Sequence, residues 1–160
     1  MRARRATSDD AEAVAAIYNE GIADGIATFE TRLRSAADVA RWLGSRFPVV
    51  AVENAAGDVI AFAASSEYRA RECYAGVAEF SVYAARSARG RGAGRLAMQS
   101  LMDEARKAGF WKLVSRVFVE NAASRALLHN IGFREVGIYE RHGQLHGTWR
   151  DVVIVERLLD

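Results

Sequence analysis

One cysteine, Cys73, and one proline, Pro48, are all that the 160 residues carry of either. A lone cysteine excludes an internal disulfide and a cysteine metal cluster, and it suits a reducing compartment. No apolar run approaches the roughly 20 residues of a membrane span. The N-terminal MRARRATSDDAEAV also lacks an apolar stretch of signal-peptide length, so a cytoplasmic protein is expected. Charge of one sign is missing too: 22 Lys and Arg against 20 Asp and Glu leave a net +2. That is too little for general attraction to nucleic acid or membrane, and neither is expected as a partner. No repeat, low-complexity tract or proline-rich linker divides the chain. A single domain over residues 1–160 is expected.

The order of elements is mixed. Residues 2–6 read as a strand. Ser8, Asp9 and Asp10 offer N-cap chemistry for a helix with Ala11, Val14, Ala15, Tyr18 and Ile22 on one face. Glycines at 21 and 25 mark the following GIADGIATFETRLRS as a loop. Ser35 and Asp38 make a capping box, with Asp in place of Glu, opening a helix through Trp42 and Leu43. Pro48 starts the strand PVVAVEN, which a turn at Asn54 to Asp58 returns as VIAFAASSEY. After polar Arg69 to Glu72, a long apolar strand is expected across Tyr74, Val77, Phe80, Val82 and Tyr83.

A helix with Gly94, Ala97, Met98, Leu101, Met102, Ala105 and Ala108 on one stripe then ends at Gly109. WKLVSRVFV reads as a buried strand, Asn121 caps a short helix ending at Gly132, and FREVGIYER and WRDVVIVERL flank the turn HGQLHG. These elements imply one α/β (α+β) domain.

The most informative stretch joins the strand Glu79 to Ala84, the basic turn Arg89 to Gly94 and the helix behind it. Glycines allow close backbone approach, the first helical N–H groups lack partners, and the helix dipole favours an anion there. The plain alternative is a structural turn carrying solvated arginines. A P-loop is excluded, because no Lys-Ser or Lys-Thr pair follows the glycines. A dinucleotide fold would place its glycine turn after the first strand.

Arg89-Gly90-Arg91-Gly92-Ala93-Gly94 resembles the Gln/Arg-x-x-Gly-x-Gly/Ala signature of GNAT-type, acetyl-CoA-dependent N-acetyltransferases. The resemblance extends through Ser81-Val82-Tyr83, Asn121-x-x-Ser124 and Ile131-Gly132-Phe133. Within that family the chain looks most like the branch acetylating phosphinothricin, methionine sulfoximine and arsinothricin. Thr28-Phe29-Glu30, Tyr68-Arg69-Ala70-Arg71, Val77 to Tyr83, and His146-Gly147-Thr148-Trp149-Arg150-Asp151-Val152 carry this likeness. CYAGVAEFSVY and GFWKL point to the arsinothricin type in particular. The implied fold is a GNAT-type domain: a mixed sheet of about six or seven strands, splayed between two parallel neighbours and flanked by about four helices.

The resemblance implies acetyl-CoA as cosubstrate and no metal. Val82, Tyr83 and Ala84 would receive the pantetheine arm. The backbone of Gly90, Arg91, Gly92, Ala93, Gly94 and Arg95 would hold the pyrophosphate, with arginines such as Arg89 adding charge-assisted contacts. Asn121 would reach the pantetheine or thioester, though a helix cap explains it equally well. Glu79, an ionisable group on an apolar strand, is the expected general base taking the amine's proton. The alternative is a solvent-facing edge glutamate. A backbone N–H on the splayed strand, near Val82, is expected to stabilise the oxyanion.

Arg69 and Arg71 would clamp the acceptor's acid groups, unless they are merely solvated. Phe29, and Glu30 beside it, would line the amine side, unless Phe29 is ordinary core. His146 is a further substrate-site candidate. His142 reads as an exposed histidine, and its i, i+4 spacing from His146 lies in a turn with no third ligand, so no metal site is expected. Cys73 lacks a partner histidine and reads as a small apolar residue.

Many relatives place a tyrosine where this chain has Leu128, so the proton donor to the leaving thiolate is open, with Tyr83 and Tyr139 as substitutes. The branch also implies a homodimer with the site near the interface, and a role in detoxification. Two other readings stand beside this one: acetylation of a protein N-terminus or lysine, and a non-catalytic acyl-CoA sensor.

Overall fold

The computed structural model describes residues 1–160. Its elements are β1 (Arg2–Arg5), α1 (Ala11–Asp24), α2 (Ala36–Ala40), β2 (Val49–Glu53), β3 (Val59–Glu67), β4 (Val77–Ala84), α3 (Ala93–Lys107), β5 (Lys112–Phe118), α4 (Ala122–Asn130), β6 (Arg134–Leu145) and β7 (Thr148–Leu158). They build one α/β domain around a seven-stranded mixed sheet in the order β1-β2-β3-β4-β5-β7-β6. Every neighbouring pair is antiparallel except β4 and β5.

Alternation along β4 sends Ala78 and Phe80 to one face, where they join Val50, Leu113 and Val155 beneath Ala97, Met98 and Leu101 of α3. On the other face, Val14, Tyr18 and Ile22 of α1 pack on Phe62. Leu101 is fully buried, and burying such a side chain contributes about 1.5–3 kcal/mol. Ala108 leaves the expected stripe: it caps α3 and is exposed, and Phe110 enters the core in its place.

Four boundaries differ from the expectation. Helix α1 continues through Gly21 to Asp24 and stops at Gly25, whose φ of 68° ends it in the left-handed region. Gly21 marks a close approach by Tyr83 rather than a loop. The Ser35–Asp38 box forms as expected, but α2 is short, because Trp42 and Leu43 bond back three residues to Val39 and Ala40 and tighten the chain. Strand β4 begins at Val77, after a 3-10 turn over Glu72–Tyr74. Finally, β6 runs on to Leu145 and the connecting turn contracts to His146 and Gly147, with φ of 49° and 78°.

Two irregularities shape the site. The parallel ladder between β4 and β5 pairs Val77 with Lys112, Ala78 with Leu113 and Glu79 with Val114, then ends, although both strands continue. The β6–β7 register jumps between Tyr139, opposite Val152, and Gly143, opposite Arg150. Extra residues on β6 form a bulge there, with Arg141 at φ 47° and its N–H bonded to Asp151 Oδ1 at 2.8 Å.

Candidate active site

The split between β4 and β5 frees backbone. Ala85 N–H bonds to Ile60 O, so odd-numbered residues of this stretch turn their polar groups towards β3. Even-numbered ones turn towards β5: Phe80 O accepts the Ser115 hydroxyl at 2.8 Å, one step beyond the last ladder pair. By the same alternation, Val82 directs its N–H and C=O into the gap. A small cavity of about 60 Å³ lies there, bordered by Val82, Val117, Asn121 and Leu128.

On one side the gap opens into a cavity of about 320 Å³ lined by every predicted cofactor residue except Arg91. Gly90 and Gly92 adopt φ of 75° and 88°, and a Cβ on either would meet nothing within 4 Å, so the turn leaves open space. The first bond of α3 runs from Leu96 N–H to Gly92 O, which leaves the N–H groups of residues 93–95 without helical partners. Arg91 and Arg95 are exposed beside them. A diphosphate fits this cradle of free N–H groups and guanidinium groups.

Asn121 caps α4, its Oδ1 accepting Ser124 N–H at 3.2 Å, and the same residue lines this cavity. Asp24, which carries no motif signal, also lines this cavity. It pairs with Arg86 at 2.8 Å and Arg89 at 2.6 Å. Those hydrogen bonds, from Arg86 first and then Arg89, hold its carboxyl below the usual carboxylate range.

On the other side lies a cavity of about 610 Å³ containing Glu79 and Phe29. Phe29 packs edge-on against Phe118, with centroids 4.7 Å apart, so it is both a packing residue and cavity wall. Glu79 is partly exposed and accepts from Arg116 at 3.0 Å. Arg116 in turn approaches His142 Nε2 at 3.4 Å. Tyr83 lines the cavities on both sides. Burial pushes the phenols of Tyr83 and Tyr18 up, so both hold their protons at neutral pH.

The predicted substrate residues are thus divided. Arg69 and Arg71 are exposed on the β3–β4 connection, Arg69 lying over the Tyr68 ring, and neither lines the large cavity. His146 sits exposed in the terminal turn and is also outside it. His142, read as merely exposed, is delivered to the cavity by the β6 bulge. Arg116 carries the same sequence signal as Glu79, a charge in the middle of an apolar strand, WKLVSRVFV. Leu128 is buried, and Tyr139 is half-exposed against His142 and lines no part of these cavities.

Known proteins share this fold. The model of the acetyltransferase (GNAT) family matches residues 14–133. An L-methionine sulfoximine/L-methionine sulfone acetyltransferase of Pseudomonas aeruginosa is 30% identical over 155 residues, covering 94% of this chain and 90% of that protein. A phosphinothricin acetyltransferase of Sinorhizobium meliloti, solved in complex with acetyl-CoA, superposes with a TM-score of 0.91 at 29% identity, covering 98% of this chain and 87% of that one. A ribosomal-protein-alanine N-acetyltransferase from Brucella melitensis superposes with a TM-score of 0.93 at 33% identity, covering 99% of both chains.

Proposed function

This chain belongs to the acetyltransferase (GNAT) family, and we propose that it carries acetyl from acetyl-CoA to the amino group of a small amino acid or amino-acid analogue. The observation that carries this reading is the meeting of two cavities at the β4–β5 split. One holds an anion cradle and the other an ionisable carboxylate, Glu79. A volume of about 610 Å³ falls in the range of small-molecule sites, roughly 300–1,000 Å³.

The Gly90 to Arg95 backbone holds the pyrophosphate and Val82 the pantetheine. Glu79 takes a proton from the acceptor ammonium, directly or through water, freeing the lone pair that attacks the thioester carbon. Val82 N–H donates to the carbonyl oxygen as charge builds on it. Tyr83 borders both cavities and Tyr139 neither, so Tyr83 is the better placed of the two to protonate the departing thiolate.

Methionine sulfoximine, phosphinothricin and arsinothricin are the acceptors this reading favours, with detoxification in the cytoplasm as the role. Likeness to the P. aeruginosa and S. meliloti enzymes supports it. We further infer a homodimer. Strand β6 is a sheet edge exposed along nearly its whole length, with Val136, Ile138 and Tyr139 open to solvent, and a long edge carrying apolar side chains is a template for pairing with another chain.

The test is release of coenzyme A, followed with a thiol reagent, across amino acids, the three analogues and alanine-starting peptides. Release with the small acceptors supports the proposal. Release only with peptides supports a protein acceptor, the reading favoured by likeness to the Brucella enzyme, and binding of acetyl-CoA without release supports a sensor.

A further inference from the structure

Arg116 is the one arginine or lysine in the wall of the large cavity. The acidic groups there are Glu79 and Glu30, and Glu30 is already paired with Arg34 at 2.9 Å. Glu79 faces Val114 across the last rung of the parallel ladder, and Arg116 lies two residues further along β5, so both side chains leave the same face of the sheet. They meet at 3.0 Å beside the split where acetyl transfer would occur.

We propose that this pair is a receptor for an α-amino-acid zwitterion: Glu79 takes the ammonium and Arg116 the α-carboxylate. The inference rests on the acceptor class proposed above and assigns the residue that enforces it. An amino acid carries its cation and anion on one carbon, and Glu79 and Arg116 present the opposite charges at matching contact distance. Binding replaces one ion pair with two.

Both side chains are partly exposed, Arg116 at 48% and Glu79 at 29%. An accessible pair contributes little to stability, about 0–1 kcal/mol, so opening it costs little. The guanidinium has five N–H donors, of which one serves Glu79 and another points at His142, leaving enough for a carboxylate. Release from Arg116 also frees the Glu79 oxygen to accept the ammonium proton.

The consequence is specificity for a free α-carboxylate. An amine lacking that group leaves Arg116 paired with Glu79, and with it the base engaged. The test compares L-methionine sulfone with 3-(methylsulfonyl)propylamine, which differ only in the α-carboxylate, in the wild type and in Arg116→Gln and Arg116→Lys. The wild type is expected to favour the amino acid in kcat/KM by about 10- to 100-fold, the scale of a hydrogen bond to a charged group. In Arg116→Gln the preference collapses to within about threefold, chiefly through a higher KM for the amino acid. Arg116→Lys retains part of it.

Unchanged calorimetric acetyl-CoA affinity and an unchanged thermal midpoint establish that the variants are folded. A preference that survives in Arg116→Gln overturns the inference, as does a wild type indifferent to the carboxylate. A loss confined to phosphinothricin, which bears a second acid, with methionine sulfone untouched, assigns Arg116 to the side-chain acid and overturns it equally. A wild type that acetylates neither amino acid overturns the proposed acceptor class as well, which separates the two failures.

Discussion

Gly21 of α1 lies against the ring of Tyr83, so close that a Cβ at residue 21 would stand 2.7 Å from Tyr83 Cε1. The glycine is what lets the helix seat a tyrosine that borders both cavities, with Tyr18 edge-on at a centroid distance of 5.1 Å and Phe62 stacked at 5.5 Å. In an ordinary helix interior, Gly→Ala stabilises by about 0.5–1 kcal/mol. Here the sign is expected to reverse. Gly21→Ala should lower the urea midpoint, and Gly21→Val should cost about 1–3 kcal/mol and raise KM for both substrates, as overpacking does. A more stable Gly21→Ala would show that the ring is free to move.

Glu79→Gln keeps the shape and hydrogen-bonding reach of the side chain but cannot take a proton. Turnover should fall by about 10²–10⁴-fold, while acetyl-CoA binds as before by calorimetry. Undiminished kcat would remove Glu79 from the mechanism.

Gly92 combines a φ of 88° with the N-terminal boundary of α3. A branched side chain there meets a left-handed penalty of about 1–2 kcal/mol and tilts the free N–H groups away from the diphosphate. Gly92→Val should raise KM for acetyl-CoA at least about tenfold, with a smaller change for the amino acceptor. Equal effects on both substrates would contradict the assignment of this turn.

Acid stability should depend on Asp10. Hydrogen bonds from Arg4, at 2.7 and 2.9 Å, are the main reason its carboxyl is held below the ordinary 3.8, aided by the Thr7 N–H and opposed by burial. A folded pKa below the unfolded one means that this stabilisation is complete above about pH 4 and is lost as the pH falls through the folded value. The wild-type thermal midpoint should therefore drop more steeply between pH 5 and about 2 than that of Asp10→Asn. Parallel curves would show that other carboxylates govern the acid limb.

Much of the fold was legible because its signals are short-range. Ser35 and Asp38 lie three residues apart and bond reciprocally. The stripe of α3 repeats at helical spacing, and Gly109 adopts the left-handed conformation, at φ 92°, that helix ends favour. Gly21 misled for a physical reason. Within its own segment a glycine weakens a helix, and only the approach of Tyr83, 62 residues later in numbering, explains it. His142 misled similarly, since the bulge that carries it to the cavity exists only once β6 has paired with β7.

From the sequence alone came the glycine-arginine turn proposed as an anion cradle, because its chemistry is contained in a few consecutive residues: glycines free to adopt positive φ, arginines beside them, and a helix beginning where the N–H groups have no partner. Only tertiary structure decided what lines the larger cavity. Glu79, Arg116 and His142 come from separate strands, and whether they meet depends on where a parallel ladder stops and how many residues a bulge inserts. Those are properties of strand pairing across the sheet, and no window along the chain contains them.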